Sequence, residues 1–401
     1  MQLIFEDKGR RTVRNKEEIK FSSFSCYHLI VLTARAKSER QASENATDDE
    51  DLIVKIDGKT FPKLNSDRLK DSPAAFSGGG LHNLSKSIYF LTCLKGREHS
   101  IILETDKDPN TATFESLQVY TIDLLDKTFT LEVNQQAEDG DRRSWITFAL
   151  DDLPLKSATP TLTYSRRKRD SDDVKIIING EVQRNILTNI KHFLWRFVGF
   201  LLPKLFPTKT ETEILTVSLS QGLHYLELHA DRMPILKEIA FDFGTSPPIP
   251  EGVPTVDNPK WTGDFYDDTE VMLLARTIYG EAGGEPKEAK IGVGWAIRNR
   301  VEDLANRWGK TYHEVILAEG QYDSLWNRWT YDKVRNPPIN DPKEKNAWKE
   351  SYDAAQKVID GKIDDPTNGA NHFYATTIPK PDWADESKFT TQIGITRFHK
   401  L

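Results

Sequence analysis

The stretch Ala275–Val301 reads ARTIYGEAGGEPKEAKIGVGWAIRNRV, and the fold of the C-terminal third turns on it. Just upstream, Asp267-Asp268-Thr269 supplies an N-cap, and Val271, Leu274, Ala275 and Ile278 follow at helical spacing. The helix runs out in a turn rich in glycine (Gly280, Gly283, Gly284). Glu285-Pro286 then opens a second helix, with proline in the first turn, where its missing N–H costs nothing. Ile291, Trp295 and Val301 line the buried side of that second helix. Between the two, Glu281 leaves an apolar helix beside a bare turn. A carboxyl against such a wall keeps its proton above the usual range, because burial disfavours the ionised form. The alternative is a solvated helix-end glutamate with no special chemistry.

Working outward, a third helix is predicted over 343–359, ending before Gly361. Residues 265–401 therefore read as a mainly helical domain. Six of the nine tryptophans fall in it (Trp295, Trp308, Trp326, Trp329, Trp348 and Trp383). Before it, residues 247–264 are rich in proline, which favours extended backbone, and read as a semi-rigid linker.

Residues 1–246 read differently. Short β-branched runs such as IVKIDGK and SIILETD are broken by Gly, Pro, Asn and Asp, the pattern of an antiparallel sandwich. The strip Tyr27–Ala34 reads as a strand, and residues 35–51 as a polar loop. The region also repeats itself. Leu94, His99, Ile101, Leu103, Asp106, Pro109 and Phe114 return 125 positions later as Leu219, His224, Leu226, Leu228, Asp231, Pro234 and Ile239. Ile56-Asp57-Gly58 returns as Ile178-Asn179-Gly180. Two tandem β-sandwich modules are expected, 1–125 and 126–246. Within the second, about 186–206 has helical period, with Ile190, Phe193, Leu194, Phe197, Leu201 and Leu202 on one side and Trp195 exposed. It reads as an inserted helix whose apolar side packs on the sandwich or a neighbouring domain; the alternative is a membrane-surface helix.

Composition mainly discards possibilities. At 401 residues, with about 100–200 per domain, two to four domains are expected. Lys+Arg total 54 and Asp+Glu 61, net −7, which speaks against a nucleic-acid binder. The run Arg166-Arg167-Lys168-Arg169 is answered at once by Asp170, Asp172 and Asp173, as on a solvated hairpin tip. Cys26 and Cys93 form no metal or disulfide pattern and read as small buried hydrophobes. The apolar stretch Phe193–Phe206 falls short of the roughly 18–20 residues that span a bilayer, so no transmembrane segment is expected.

Three ordered blocks carry a resemblance. ARTIYGEAGGEP…IGVGWAIRNRV, QYDSLWN and ANHFYATTIPKPDW…IGITRF resemble the catalytic domain of the spore-cortex-lytic, or SleB-like, cell-wall hydrolases, over about 135 of the 401 residues. The resemblance implies a lysozyme-like fold, close to goose-type lysozyme and the lytic transglycosylases, and cleavage of peptidoglycan glycan next to N-acetylmuramic acid. Its catalytic glutamate falls on Glu281, the residue the physical reading selects. Its middle block falls on Gln321, Tyr322, Ser324 and Trp326, with Tyr322 where the family has Phe. Its last block places His372 and Tyr374 at the substrate. Glu285 and Asn299 are supporting residues, with Glu285 read as structural, accepting backbone N–H groups. Two departures stand out: Gly283 where the family has Arg, and Thr396 where it has His.

With no second carboxylate well placed, one glutamate would serve as acid and then as base, giving anhydro-sugar products. No cofactor and no metal are expected. The alternatives are an N-acetylmuramoyl-L-alanine amidase with zinc on His313, His372 and His399, or a cell-wall or carbohydrate-binding protein without turnover. Peptidoglycan is the expected partner, with glycan contact through the β-modules. Such a substrate lies in the cell wall or outside the cytoplasm, yet no signal peptide is readable at the N-terminus.

Overall fold

A computed structural model describes residues 1–23, 27–42, 46–122, 126–166, 171–183, 186–201, 207–247, 253–327 and 330–401. The chain divides into two compact units, Met1–Ile249 and Pro250–Leu401. Cys26, Trp329 and residues 167–170 of the basic run lie outside the described residues. No helix among those described is long and apolar enough to cross a membrane.

The β-rich first unit is built on a recurring turn. Strand Asp51–Ile56 turns through Asp57-Gly58 into Lys59–Thr60 and pairs with Glu98–Thr105, placing Ile56 opposite Ile101 and Val54 opposite Leu103. Strand Asp173–Ile178 turns through Asn179-Gly180 into Glu181–Val182 and pairs with Leu215–Asp231. There Ile178 lies opposite Leu226 and Ile176 opposite Leu228. Asp57 and Asn179 sit at φ 49° and 51°, the left-handed region that Asp and Asn tolerate best after glycine. Each accepts the main-chain N–H facing it, from Ser100 at 2.8 Å and from Tyr225 at 2.9 Å. Each also bonds a histidine ring, His99 at 2.8 Å and His224 at 3.0 Å. The 125-residue recurrence is a recurrence of pairings.

The halves expected as separate modules share a sheet. Strand Lys86–Cys93 pairs with Tyr27–Arg35 on one side and, in parallel, with the start of Arg143–Ser165 on the other. Both Tyr27–Arg35 and Lys86–Cys93 are buried on two faces. Leu29, Tyr89 and Leu91 face a core with Trp145, Phe148 and Phe241, while Ile30, Leu32, Ile88 and Phe90 face one with Val54, Ile101 and Phe114. Double-sided burial explains why these strands read as nearly continuous apolar runs. Cys93 packs half-buried against the first of these cores.

The inserted helix spans Ile186–Leu201; residues 202–206 lie outside the described ones. Its expected burial is reversed. Ile190, Phe193, Leu194 and Phe197 are exposed, Phe193 to 66%. Trp195 instead faces inward against Tyr164 and under the Arg166 guanidinium, while His192 and Arg196 pair with Asp173. The aromatic–cation stack and the ion pairs anchor the polar side to the sheet, leaving the apolar side uncovered.

The second unit is arranged around helix Glu270–Ala282, ten of whose thirteen residues are buried. Thr269 caps it, accepting the Met272 N–H at 3.2 Å. Helices Lys287–Val301, Tyr312–Ile316, Tyr331–Arg335 and Pro342–Ile359 follow, with a three-stranded antiparallel sheet of His372–Ala375, Thr396–His399 and Phe389–Ile393. Inside this core, the Arg276 and Asp268 side chains are both fully buried. Arg276 Nε donates to one Asp268 oxygen at 2.6 Å and Nη2 to the other at 3.1 Å. The remaining N–H groups go to the carbonyls of Pro259, Val334 and Arg335.

Part of the expected linker is fastened to this unit. The Val256 carbonyl accepts the Trp348 indole N–H at 2.8 Å, and Trp261 packs on Phe265 beneath Arg335. Thr255 and Asn258 bridge across a turn within this linker, and proline spacing carries no information about what such a segment docks on. The tryptophans also divide. Trp348 is core, Trp295 and Trp308 lie under arginines, and Trp326 and Trp383 are the exposed ones among those described here.

Candidate active site

Glu281 occupies the last turn of helix Glu270–Ala282, half-buried, where the preceding apolar turns have carried it against the Tyr322–Leu325 segment. The Ser324 N–H donates to Glu281 Oε1 at 3.2 Å. Burial pushes the Glu281 carboxyl above its usual range, the contacts with Ser324 pull it back, and the negative charge of Asp323 adds to the rise. The net effect is upward.

This approach requires Gly280. A Cβ there would lie 2.5 Å from the Ser324 Cβ and 2.9 Å from a Val334 methyl. Gly280→Ala should push the Ser324 turn off Glu281 and lower turnover on purified peptidoglycan by about 10²-fold, since ångström-scale misplacement near reacting groups costs that much. Overpacking should also destabilise by about 1–3 kcal/mol. Turnover measured beside thermal unfolding checks this; unchanged turnover would show that the contact is incidental.

Glu285 is committed elsewhere. Its Oε2 accepts the Ile395 N–H at 3.1 Å, holding the turn of the last hairpin. A structural role was expected, at the start of the next helix; the bond runs instead to a turn 110 residues away. Gly394, at φ 60°, has no room for a Cβ against that carboxylate. Asn299 likewise supports a loop, donating to Asp365 at 3.1 Å and to the Ala370 carbonyl at 2.8 Å.

The middle block is brought to Glu281 only in part. Trp326, two residues after Ser324, is 49% exposed, its ring perpendicular to that of Phe265. Gln321 accepts from Arg300 Nη1 at 2.7 Å. Tyr322 departs from expectation. It is 3% exposed, stacked on Phe373 with the Arg300 guanidinium on its ring, so it presents no platform. Its hydroxyl is buried with no hydrogen-bond partner among the described residues, and burial pushes it up to about 12.

His372 and Tyr374 form a separate cluster. Alternation along their strand turns Phe373 toward Tyr322 and sends its neighbours the other way. His372 meets Trp308 and Trp383, while Tyr374 meets Trp383 and His399. Burial and nearby arginines hold His372 down at about 4, hence neutral. His313 lies apart from these two histidines, bonded to the Asp268 carbonyl and stacked on Tyr266.

Two contributors escaped the sequence reading. Arg300 joins the blocks, donating to the Asn371 carbonyl as well as to Gln321; a cation on the buried side of an apolar helix was the available signal. Asp323, exposed beside Ser324, is a second carboxylate near Glu281. Thr396 is buried in the last strand.

Residues 284–399 match the family described as Cell Wall Hydrolase. The match begins three positions after Glu281. No curated protein matches the chain. Among solved structures, the catalytic domain of the Bacillus cereus SleB protein is similar at 22% identity, covering 33% of this chain and 89% of that one, with a TM-score of 0.25. The catalytic domain of the germination-specific lytic transglycosylase SleB from Bacillus anthracis is similar at 20% identity, covering 38% and 100%, with a TM-score of 0.26. Over 58% of this chain and 83% of that one, tandem CBM51 modules of a family 98 glycoside hydrolase from Streptococcus pneumoniae are similar at 9% identity, TM-score 0.18.

Proposed function

We propose that this chain, an enzyme acting on the cell wall through the SleB-like domain at its C-terminus, cleaves the glycan strand of peptidoglycan next to N-acetylmuramic acid. The observation that carries the reading is one carboxyl, Glu281, at the end of an apolar helix, pushed above its usual range by burial and with a backbone N–H on one oxygen. Protonated Glu281 delivers its proton to the glycosidic oxygen as the bond to the anomeric carbon breaks. The 2-acetamido group of the sugar stabilises the cationic carbon. The carboxylate then takes the proton of the 6-hydroxyl, whose oxygen closes the 1,6-anhydro ring, and Glu281 returns to its starting state. Glu285 is spent on Ile395 and takes no part. Gln321, Ser324 and Trp326 line the approach of the strand.

Asp323 favours a second reading. An exposed carboxylate beside the acid could activate water, giving hydrolysis with reducing ends. Mass spectrometry of products from purified peptidoglycan separates the two: anhydro-muramyl ends are expected, and reducing ends alone would transfer the base role to Asp323. An amidase would release stem peptides, and its three histidines do not converge here. In architecture, we read residues 1–125 and 126–246 as tandem β-sandwiches, supported by the recurring pairings, 247–264 as the proline-rich linker that follows them, and 265–401 as a mainly helical lysozyme-like domain.

A further inference from the structure

At the join between the two halves of the β-rich unit lies a cavity of about 310 Å³, near the lower end of small-ligand pockets, roughly 300–1,000 Å³. Its chemistry is unspent. Lys86 is buried, with its ammonium donating to the carbonyls of Pro73 at 2.7 Å and Ala75 at 2.8 Å. A lysine carries three donors, so one N–H remains. Glu227 gives one oxygen to the His229 ring at 3.1 Å and keeps the other. The Ser144 hydroxyl is buried with no hydrogen-bond partner among the described residues. Leu64, Leu81 and Pro73 supply apolar wall. Buried polar groups left unpaired are costly, and a concave site holding several of them is suited to a ligand that completes their bonds.

The balance of charge selects the class of ligand. Of the charged groups lining it, Lys70 pairs with Asp106, Asp71 pairs with Arg68, and Lys63 is exposed; the ammonium of Lys86 is left with the carboxylate of Glu227, so neither a net anion nor a net cation is favoured. A remaining donor, a remaining acceptor and a hydroxyl that is both match adjacent hydroxyls, which donate and accept from neighbouring carbons. We infer that this cavity is a binding site for a short neutral saccharide, held by Lys86, Ser144 and Glu227, distinct from the Glu281 site and independent of its chemistry. Glu227 and Ser144 belong to the second half of the unit and Lys86 to the first, so the site exists only where the halves meet.

Gly80 offers the test. It lines the cavity, a Cβ there meets nothing within 4 Å, and its φ is not in the left-handed region. Gly80→Trp should therefore fill the pocket without disturbing the backbone. Full-length protein carrying Glu281→Gln, so that glycan is not consumed, is applied to an array of neutral and acidic mono- to tetrasaccharides, and hits are measured by calorimetry. Binding of a neutral saccharide is expected, weakened at least tenfold by Gly80→Trp and by Glu227→Gln, with thermal unfolding unchanged in Gly80→Trp. No neutral binder, a preference for acidic sugars, or affinity indifferent to both substitutions would overturn the assignment. Because the readout is binding, its failure leaves the Glu281 reaction standing, and loss of that reaction leaves the pocket standing.

Discussion

Replacing Glu281 by Gln is expected to lower turnover on purified peptidoglycan by about 10²–10⁴-fold, the range a single general acid–base group supplies. Glutamine keeps the shape and its side-chain carbonyl can still accept the Ser324 N–H that Glu281 Oε1 takes, so substrate affinity should hardly move and the loss should fall on kcat. The proposed cycle asks the same carboxyl to give and then take a proton, which places the effect toward the upper end. The pH profile carries the sign. The folded carboxyl holds its proton above the ordinary range, and the first step uses the protonated form. Activity should therefore persist to higher pH than for an ordinary carboxylate, then fall as pH rises through the raised value. Stability runs the same way. An ionised carboxyl is disfavoured in this site, so Glu281 costs stability once pH passes the unfolded value near about 4.3 and rises through the folded one. A glutamine side chain escapes that cost, so the Glu281→Gln protein should melt no lower than the parent at neutral pH. Retained activity, or a profile without this limb, would remove Glu281 from the acid role.

How far the sequence spoke for itself depended on the range of the interaction. The Asp57-Gly58 and Asn179-Gly180 turns were legible because a left-handed residue followed by glycine is a local demand. Glu281 was legible for a similar reason: an apolar helix ending in glycines settles where its last side chain emerges. The parallel pairing of Lys86–Cys93 with Arg143–Ser165 was not, since strands so distant in sequence leave no local mark of their register. At helix Ile186–Leu201, periodicity located the apolar side correctly, while the partners that decide which side is buried, Tyr164, Arg166 and Asp173, lie in other strands. For His372 and Tyr374 the resemblance implies only a place at the substrate, with no strand expected there. That their side chains turn away from Tyr322 follows from Phe373, whose ring takes the inner position.

Arg276 is where the largest loss of stability is expected. Arg276→Met would leave the Asp268 carboxyl and the carbonyls of Pro259, Val334 and Arg335 buried without their donor. Breaking a buried pair from one side costs about 3–5 kcal/mol, because the abandoned partner stays desolvated. For a unit of this size that is a fall in Tm of roughly 6–20 °C. Burial already pushes Asp268 up to about 6 against the pull of Arg276; without the guanidinium it should take up a proton. Stability of the variant should therefore fall further as pH rises above the ordinary carboxylate range, the window in which Asp268 must ionise on unfolding or be held charged in the core. Seven of the nine tryptophans lie beyond residue 260, so indole fluorescence follows mainly this unit while the β-rich unit is monitored by circular dichroism. A lowered fluorescence midpoint with an unchanged β transition is the expected result. An unmoved fluorescence midpoint would mean that Arg276 is replaceable. Loss at this pair should reach the site as well: Arg276 holds the Val334 carbonyl, and Val334 forms one wall against which Gly280 seats Glu281 beside Ser324. Below its own melting point, the variant should lose turnover while retaining binding through the β-rich unit.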